Sequence, residues 1–337
     1  VILPFFHHLL NPRRFPVTIL LILLNVGLYC AINPLYSASQ DEVEKVISDD
    51  DFLDAQARIF AQMILATPTH YAAPLAKLAA VAQKGDSSSL QVLGRLSLRN
   101  AEFMDRAPAF AFKGDHILYR NWQDQFARFA DLRAIHPNYL FGFSSLTPGY
   151  EPYVTYQFLH GGSAHLLVNM SVLLLVGSVV EPLLGGAWFL LLYLICGVGA
   201  AVGFQLLSGS TPVPLVGASG SIMGLFGLLL ALRWREPLRF VWLLPTSSYA
   251  GYIFLPVWIF VCYLILSDVA GFIETESWMG TGIAHAAHLG GFAVGALLGL
   301  VIRLFHLAPP PQPNEADERK IQLQAWFPSV QSQARKN

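Results

Sequence analysis

The sequence predicts an all-α, polytopic membrane protein, and three observations carry that prediction. Six long apolar runs stand near 15–33, 164–182, 187–207, 218–232, 252–273 and 283–305. Of the 337 residues, 54% are hydrophobic and only 13% charged, where a soluble domain carries about 25% charged residues. The mean hydropathy is accordingly positive, at +0.48. Lastly, the few polar groups within the runs gather at one end of three of them: His160, His165 and Asn169, then Ser219, then His285 and His288.

Taken in order, Arg13-Arg14 followed by Phe15 to Ile32 has the basic and apolar regions of a signal peptide. The run is long for one, and no A-x-A-like cleavage site follows Cys30-Ala31-Ile32-Asn33-Pro34, so it reads as an uncleaved first span. Val1 rather than Met opens the chain, which leaves room for residues upstream. Residues 1–34 thus form an N-terminal segment and first span. Residues 35–145 form an insertion with both charge signs (Asp41, Glu42, Glu44, Lys45, Asp49-Asp50-Asp51) and helical apolar spacing in Phe52 to Leu65 and Leu75 to Val81. A connection this long is functional or separately folded as a rule. Residues 146–306 hold spans two to six, and residues 307–337, opened by Pro309-Pro310-Pro311, read as a polar, disordered tail. There is no internal repeat.

The fourth run is short. Fifteen residues, Ala218 to Leu232, reach about 22 Å, against a hydrocarbon core about 30 Å thick. The Gly- and Pro-rich stretch Ser208 to Gly217 therefore reads as a re-entrant loop that carries Ser219 below the membrane surface. Arg13, Arg14, Arg233, Arg235, Arg239 and Arg303 mark one side, while loops 208–217 and 274–282 hold no Lys or Arg. The positive-inside rule then makes both termini cytoplasmic, the insertion extracytoplasmic, and the protein a multi-pass one of the plasma (inner) membrane if bacterial. Under that topology the polar ends of spans two, four and six meet at one depth on the outer side.

The net charge of −1 supplies no basic patch for nucleic acid. Cys30, Cys196 and Cys262 are far apart within apolar runs, with neither disulfide nor zinc spacing, and read as buried core residues.

Ionisable groups inside membrane segments are functional by default. Ser219, in Gly217-Ala218-Ser219-Gly220, supplies a hydroxyl at a helix start; His288, in Ala287-His288-Leu289-Gly290-Gly291, supplies a base. Gly217 and Gly220 leave room for a substrate backbone, and the helix N-terminus presents N–H groups. Gly220, Gly224 and Gly227 on one helix and Ala287, Gly291, Gly295 and Gly299 on the other form small-residue faces that bring the two together. His165 and Asn169, four apart, share a helix face and suit an oxyanion hole. His160 reads first as a structural hydrogen-bonder before that helix.

Other chemistries fit less well. His285 with His288, or His160 with His165, could suggest zinc, but no His-Glu-x-x-His occurs and no carboxylate accompanies the His groups in the runs, so no metal site is expected. Aspartyl catalysis needs two membrane carboxylates, and only Asp268, near the outer end of the fifth span, approaches that role. Glu181, at the inner end of the second span, suits helix anchoring. No acidic partner for His288 is evident, so the expectation is a Ser-His dyad.

These motifs resemble the rhomboid family of intramembrane serine proteases, over about residues 155–300 with a looser match in the first span. Tyr156 to Met170 looks like the family's second-helix motif, Gly217-Ala218-Ser219-Gly220 like its G-x-S-G, and Ala287 to Gly291 like its sixth-helix motif. The resemblance implies a six-helix bundle, Ser219 as nucleophile, His288 as base, His165 and Asn169 as oxyanion donors beside the Ser219 N–H, and no cofactor. It also implies transmembrane protein substrates with a single span, cleaved at or near the outer face of the bilayer. Two departures stand out. Met223 occupies the position where the family usually stacks an aromatic on the catalytic His; its soft side chain can also contact an imidazole. The insertion displaces the usual first loop, leaving Phe141 to Tyr153 as a remnant; a substrate-recruiting domain and an inert decoration both fit. The rival function is a catalytically weak or inactive relative that binds membrane clients. A small transporter would need polar groups through the midplane and two similar halves.

Overall fold

The computed structural model of the chain describes residues 2–4, 11–68, 71, 73–144, 149–208, 213–243, 250–276 and 284–307. The expected tail and parts of the 208–217 and 274–282 loops lie outside the described residues. A short strand, β1 (Ile2–Pro4), precedes helix α1 (Pro16–Ile47). Pro16 suits a first turn, where its missing N–H costs nothing. The neighbouring N–H groups of Val17 and Thr18 donate to the Glu181 carboxylate at 2.9 and 2.7 Å, and the Thr18 hydroxyl donates to it at 2.7 Å. Glu181 is buried, so it caps α1 from another helix. Pro34 lies inside α1 without ending it: the first apolar run and the charged stretch after it are one helix.

The insertion folds as α2 (Asp50–Ala66), α3 (Ala73–Ala82), α4 (Ser87–Ser97), α5 (Ala101–Arg106) and α6 (His116–Ile135). Asp49, Asp86, Asn100 and Asp115 cap α2, α4, α5 and α6 through their side-chain oxygens. Hydrogen bonds from the Ser89 and Ser88 hydroxyls and the Ser89 N–H hold the Asp86 carboxyl down at about 2. Phe52, Phe60, Phe103, Trp122 and Phe126 form the centre of a core of the insertion's own. The Trp122 indole N–H donates to Gln56 Oε1 at 3.4 Å, and the Gln56 amide donates to the Gly94 carbonyl at 3.2 Å, so the polar atoms in this core are engaged. An Arg128–Glu42 ion pair ties α6 to the distal half of α1.

Two short helices, α7 (Pro137–Phe141) and α8 (Pro152–Thr155), lead into the bundle of α9 (Ser163–Leu184), α10 (Gly186–Ser208), α11 (Ser219–Arg233), α12 (Val257–Glu276) and α13 (His285–Leu304). Of these, α9, α10 and α13 are long and apolar enough to cross a membrane; α11 and the apolar segments 16–32 and 257–273 are shorter. Leu20, Leu167, Leu206, Tyr263, Leu266 and Leu297 are exposed on the outside, as a surface facing lipid tails requires. Cys196 is buried, whereas Cys30 and Cys262 are exposed. This corrects the expectation of three buried thiols: on a membrane helix the outward face is also apolar, so hydrophobic flanks do not imply burial.

The fifth apolar run is also corrected. Residues 252–256 belong to a strand, β3 (Ala250–Pro256), and the helix starts only at Val257. β3 pairs antiparallel with β2 (Pro237–Leu243), and β2 pairs antiparallel with β1, making a small sheet between α11 and α12. Both segments are rich in residues that favour strands, and an apolar run alone does not separate strand from helix.

Inside the bundle, glycine sets the closest approach. A Cβ on Gly291 would overlap the Gly220 carbonyl, one on Gly295 the Gly224 carbonyl, and one on Gly227 the Phe292 carbonyl. The small-residue faces of α11 and α13 thus meet backbone to backbone.

Candidate active site

That seam brings the starts of α11 and α13 together. Ser219 is the first residue of α11, whose N-cap Ala218 has no side chain to cap the N–H groups of the first turn. Below it, Ser221 donates to Gln157 Oε1 at 2.9 Å, and the Tyr156 hydroxyl donates to the Gly197 carbonyl at 2.7 Å. Both partners are buried, so the segment before α9 is fixed against α10 and α11. The same segment accepts the Gly217 N–H on the Tyr156 carbonyl at 2.9 Å, and Leu215 and Phe143 exchange backbone hydrogen bonds of 2.7 and 3.0 Å. These bonds pin the chain immediately before Ser219.

Gly217 has φ +120°, a conformation L side chains rarely adopt. Space demands glycine there as well: a Cβ would sit 2.8 Å from His165 Cε1, 3.0 Å from His165 Nε2 and 3.3 Å from Asn169 Nδ2. The two side chains singled out on α9 therefore converge on the backbone two residues before Ser219. Asn169 is 5% exposed, and among the described residues its Nδ2 has no hydrogen-bond partner. A buried amide donor without an acceptor is uncommon and calls for a reason. Gly220 lies against Tyr156 and Ala200, where a Cβ would be 3.2 Å from the hydroxyl and 2.5 Å from the Ala200 Cβ, so it serves close packing directly after the serine.

His160 is buried with its ring 5.3 Å from that of His165 in an edge-on arrangement, and among the described residues neither of its nitrogens has a partner. Its contact among the described residues is ring packing against His165. Met223, one turn after Ser219, is buried in the bundle core among residues of α9 to α13.

His288 lies in the first turn of α13, half-buried, next to Ala287, whose carbonyl is 3.7 Å from a Cβ built on Gly220. The sequence offered it no acidic partner; the structure does. Asp268 on α12 places Oδ1 2.8 Å from His288 Nδ1 and 2.7 Å from His285 Nδ1. Asp268 and His285 are both buried. The ligating atoms of Asp268, His285 and His288 lie within 4.8 Å of one another, a spacing that could also hold a metal ion. Both nitrogens are, however, at hydrogen-bond distance from one carboxylate oxygen, so protons on the two Nδ1 atoms satisfy the group as it stands. Neither Asp268 nor His285 stood among the expected site residues. The signal that could have found Asp268 is its charge, within an otherwise apolar span.

Comparison with known proteins follows the same segment. Residues 149–305 match the family model described as the rhomboid domain. The chain is 35% identical over 149 residues to RHOMBOID-like protein 4 of Arabidopsis thaliana, covering 43% of this chain and 32% of that protein. It is 31% identical over 146 residues to Rhomboid protease GluP of Bacillus subtilis, covering 42% and 25%. It is 28% identical over 146 residues to Rhomboid protease GlpG of Yersinia pestis, covering 43% and 46%. The chain thus spans less than half the length of these curated relatives.

Proposed function

Residues 149–305 make this chain a member of the rhomboid family, and from that premise we propose that it is an intramembrane serine endopeptidase acting on single-span membrane proteins. Ser219 is the nucleophile and His288 the base. The Ser219 Oγ attacks the scissile carbonyl carbon while His288 Nε2 takes its proton. Negative charge then develops on the carbonyl oxygen, where the Asn169 amide, the His165 ring and the α11 N–H groups converge. Collapse of the tetrahedral intermediate breaks the C–N bond, and the leaving amine takes the proton from His288. Water, deprotonated by His288, releases the acyl-enzyme and restores the serine.

The observation that carries this reading is the buried Asn169 donor, without a partner among the described residues and close to Gly217, which lies two residues before a serine at a helix start. A structural asparagine would spend that amide; one waiting for an oxyanion would not. The protein is read as an integral membrane protein, of the plasma (inner) membrane if bacterial; the Arg distribution of its short loops puts both termini in the cytoplasm and residues 35–145 outside.

The test is cleavage by purified, reconstituted protein of a single-span substrate carrying Ala and Gly near its outer end. Wild type cleaves and Ser219→Ala loses at least about 1,000-fold in kcat. A fluorophosphonate probe labels wild type but not Ser219→Ala. Equal cleavage by both, or none by wild type over varied substrates, overturns the reading and favours a client-binding relative.

A further inference from the structure

We propose that Asp268 is a positioning residue for His288, held in turn by His285, so that a carboxylate on α12 completes the Ser219–His288 pair. The inference rests on the protease reading above and adds to it a residue outside the three recognised motifs.

A carboxylate within an apolar helix is expensive to keep, and Asp268 is 8% exposed. It is kept with two donors on one oxygen: His285 Nδ1 at 2.7 Å and His288 Nδ1 at 2.8 Å. For the carboxylate to accept both bonds, each Nδ1 must carry its proton. A neutral His288 protonated on Nδ1 has its lone pair on Nε2, the atom a base needs toward Ser219. Imidazole is otherwise free to place its proton on either nitrogen and to rotate about its side-chain torsions. The Asp268 bond fixes both choices, and it places negative charge beside the imidazolium that forms when Ser219 gives up its proton.

The surroundings are built for this arrangement. A Cβ on Gly271, three residues beyond Asp268 and on the same face of α12, would overlap the His285 ring, so glycine there makes room for His285. His285 is itself buried and lies one turn before His288, with ring centroids 6.2 Å apart at near-perpendicular orientation. On the α9 side, the His165 and His160 rings pack against each other and supply no carboxylate. Met223 leaves His288 without the aromatic stack expected in the family, and the Asp268 bond is an alternative means of holding the ring.

The experiment compares Asp268→Asn, Asp268→Glu and Asp268→Ala with wild type and Ser219→Ala in the reconstituted cleavage assay, with thermal unfolding of each purified protein in detergent. The Ser219→Ala arm decides the protease reading, and the Asp268 arms are read only against an active wild type. Asp268→Asn, whose amide donates to His288 Nδ1 and so reverses the tautomer, lowers kcat at least about 100-fold with KM within about threefold of wild type. Asp268→Glu, which restores the carboxylate, recovers at least about tenfold of that loss. A role limited to shape predicts the reverse order, because Asn is the isostere and Glu is not. The proposal falls if Asp268→Asn keeps kcat within about threefold, if Glu is no better than Asn, or if the loss lies in KM. Should Asp268→Asn fail to fold, His285→Leu and His285→Gln carry the test. Leu removes the second donor and lowers kcat, Gln donates through its amide and restores it, and equal activity of the two overturns the assignment.

Discussion

On the proposed reading, Asn169 is kept for its task rather than for the fold. Its amide is buried and its Nδ2 has no partner among the described residues, so the folded protein carries the cost of one orphan donor. Asn169→Ala removes both the cost and the donor. The expected outcome is a fall in kcat of about 100- to 1,000-fold with a thermal midpoint no lower than wild type. Parallel loss of both, measured on the same preparation, would make Asn169 a structural residue. At this scale much of the proposed site is legible in the sequence, because Ser219, His288, His165 and Asn169 each stand out as polar groups at the ends of apolar runs. Asp268 was visible too, yet its partnership with His288 was not. That depends on how α12 is rotated against α13, and no spacing along the chain encodes the rotation between two helices. His285 escaped for the same reason: its Nδ1 partner lies on α12, across a connection of unpatterned sequence.

Among elements, the α11–α13 seam fixes where Ser219 stands relative to His288. Backbones meet at Gly220–Gly291 and Gly224–Gly295, with no space for a side chain at either glycine of α13. Gly295→Val must therefore push the helices apart, an overpacking that costs about 1–3 kcal/mol or more. It is expected to lower both the thermal midpoint and fluorophosphonate labelling of Ser219, although Gly295 lies two turns from the site. Gly27 on α1 is the control, since a Cβ there meets nothing within 4 Å and it faces outward. Gly27→Ala is expected to leave labelling unchanged; a loss equal to that of Gly295→Val would show that labelling reports general helix disturbance instead. The i, i+4 glycine pattern made this seam readable before any coordinates. The β1-β2-β3 sheet was not readable, because residues 252–256 are as apolar as the helix that follows them. Apolarity counts residues without saying whether their period is 2 or 3.6.

Across the whole molecule, two hydrophobic cores share one long helix. The bundle core lies among α9 to α13, while the insertion packs its own core around Phe60, Phe103, Trp122 and Phe126. α1 belongs to both, clamped at its start by Glu181 and tied near its far end by the Arg128–Glu42 pair. Surface ion pairs such as the latter are worth about 0–1 kcal/mol, so what couples the cores is chiefly the burial of Val43 and Val46 of α1 in the insertion's core. Trp122→Ala tests that coupling directly. The indole is 1% exposed, and truncating a buried Trp costs about 3–5 kcal/mol, a large part of the about 5–15 kcal/mol that holds a domain folded. Hydrogen exchange over residues 49–135 is expected to rise, while the bundle keeps its protection and Ser219 still takes the fluorophosphonate. The cleavage kinetics then separate the two roles left open for the insertion. An inert decoration leaves kcat and KM alike; a domain that recruits substrate raises KM with kcat retained, because binding is lost while the Ser219–His288 chemistry stands. Loss of labelling in step with the insertion's unfolding would mean that α1 transmits disorder into the bundle and that the two cores stand or fall together.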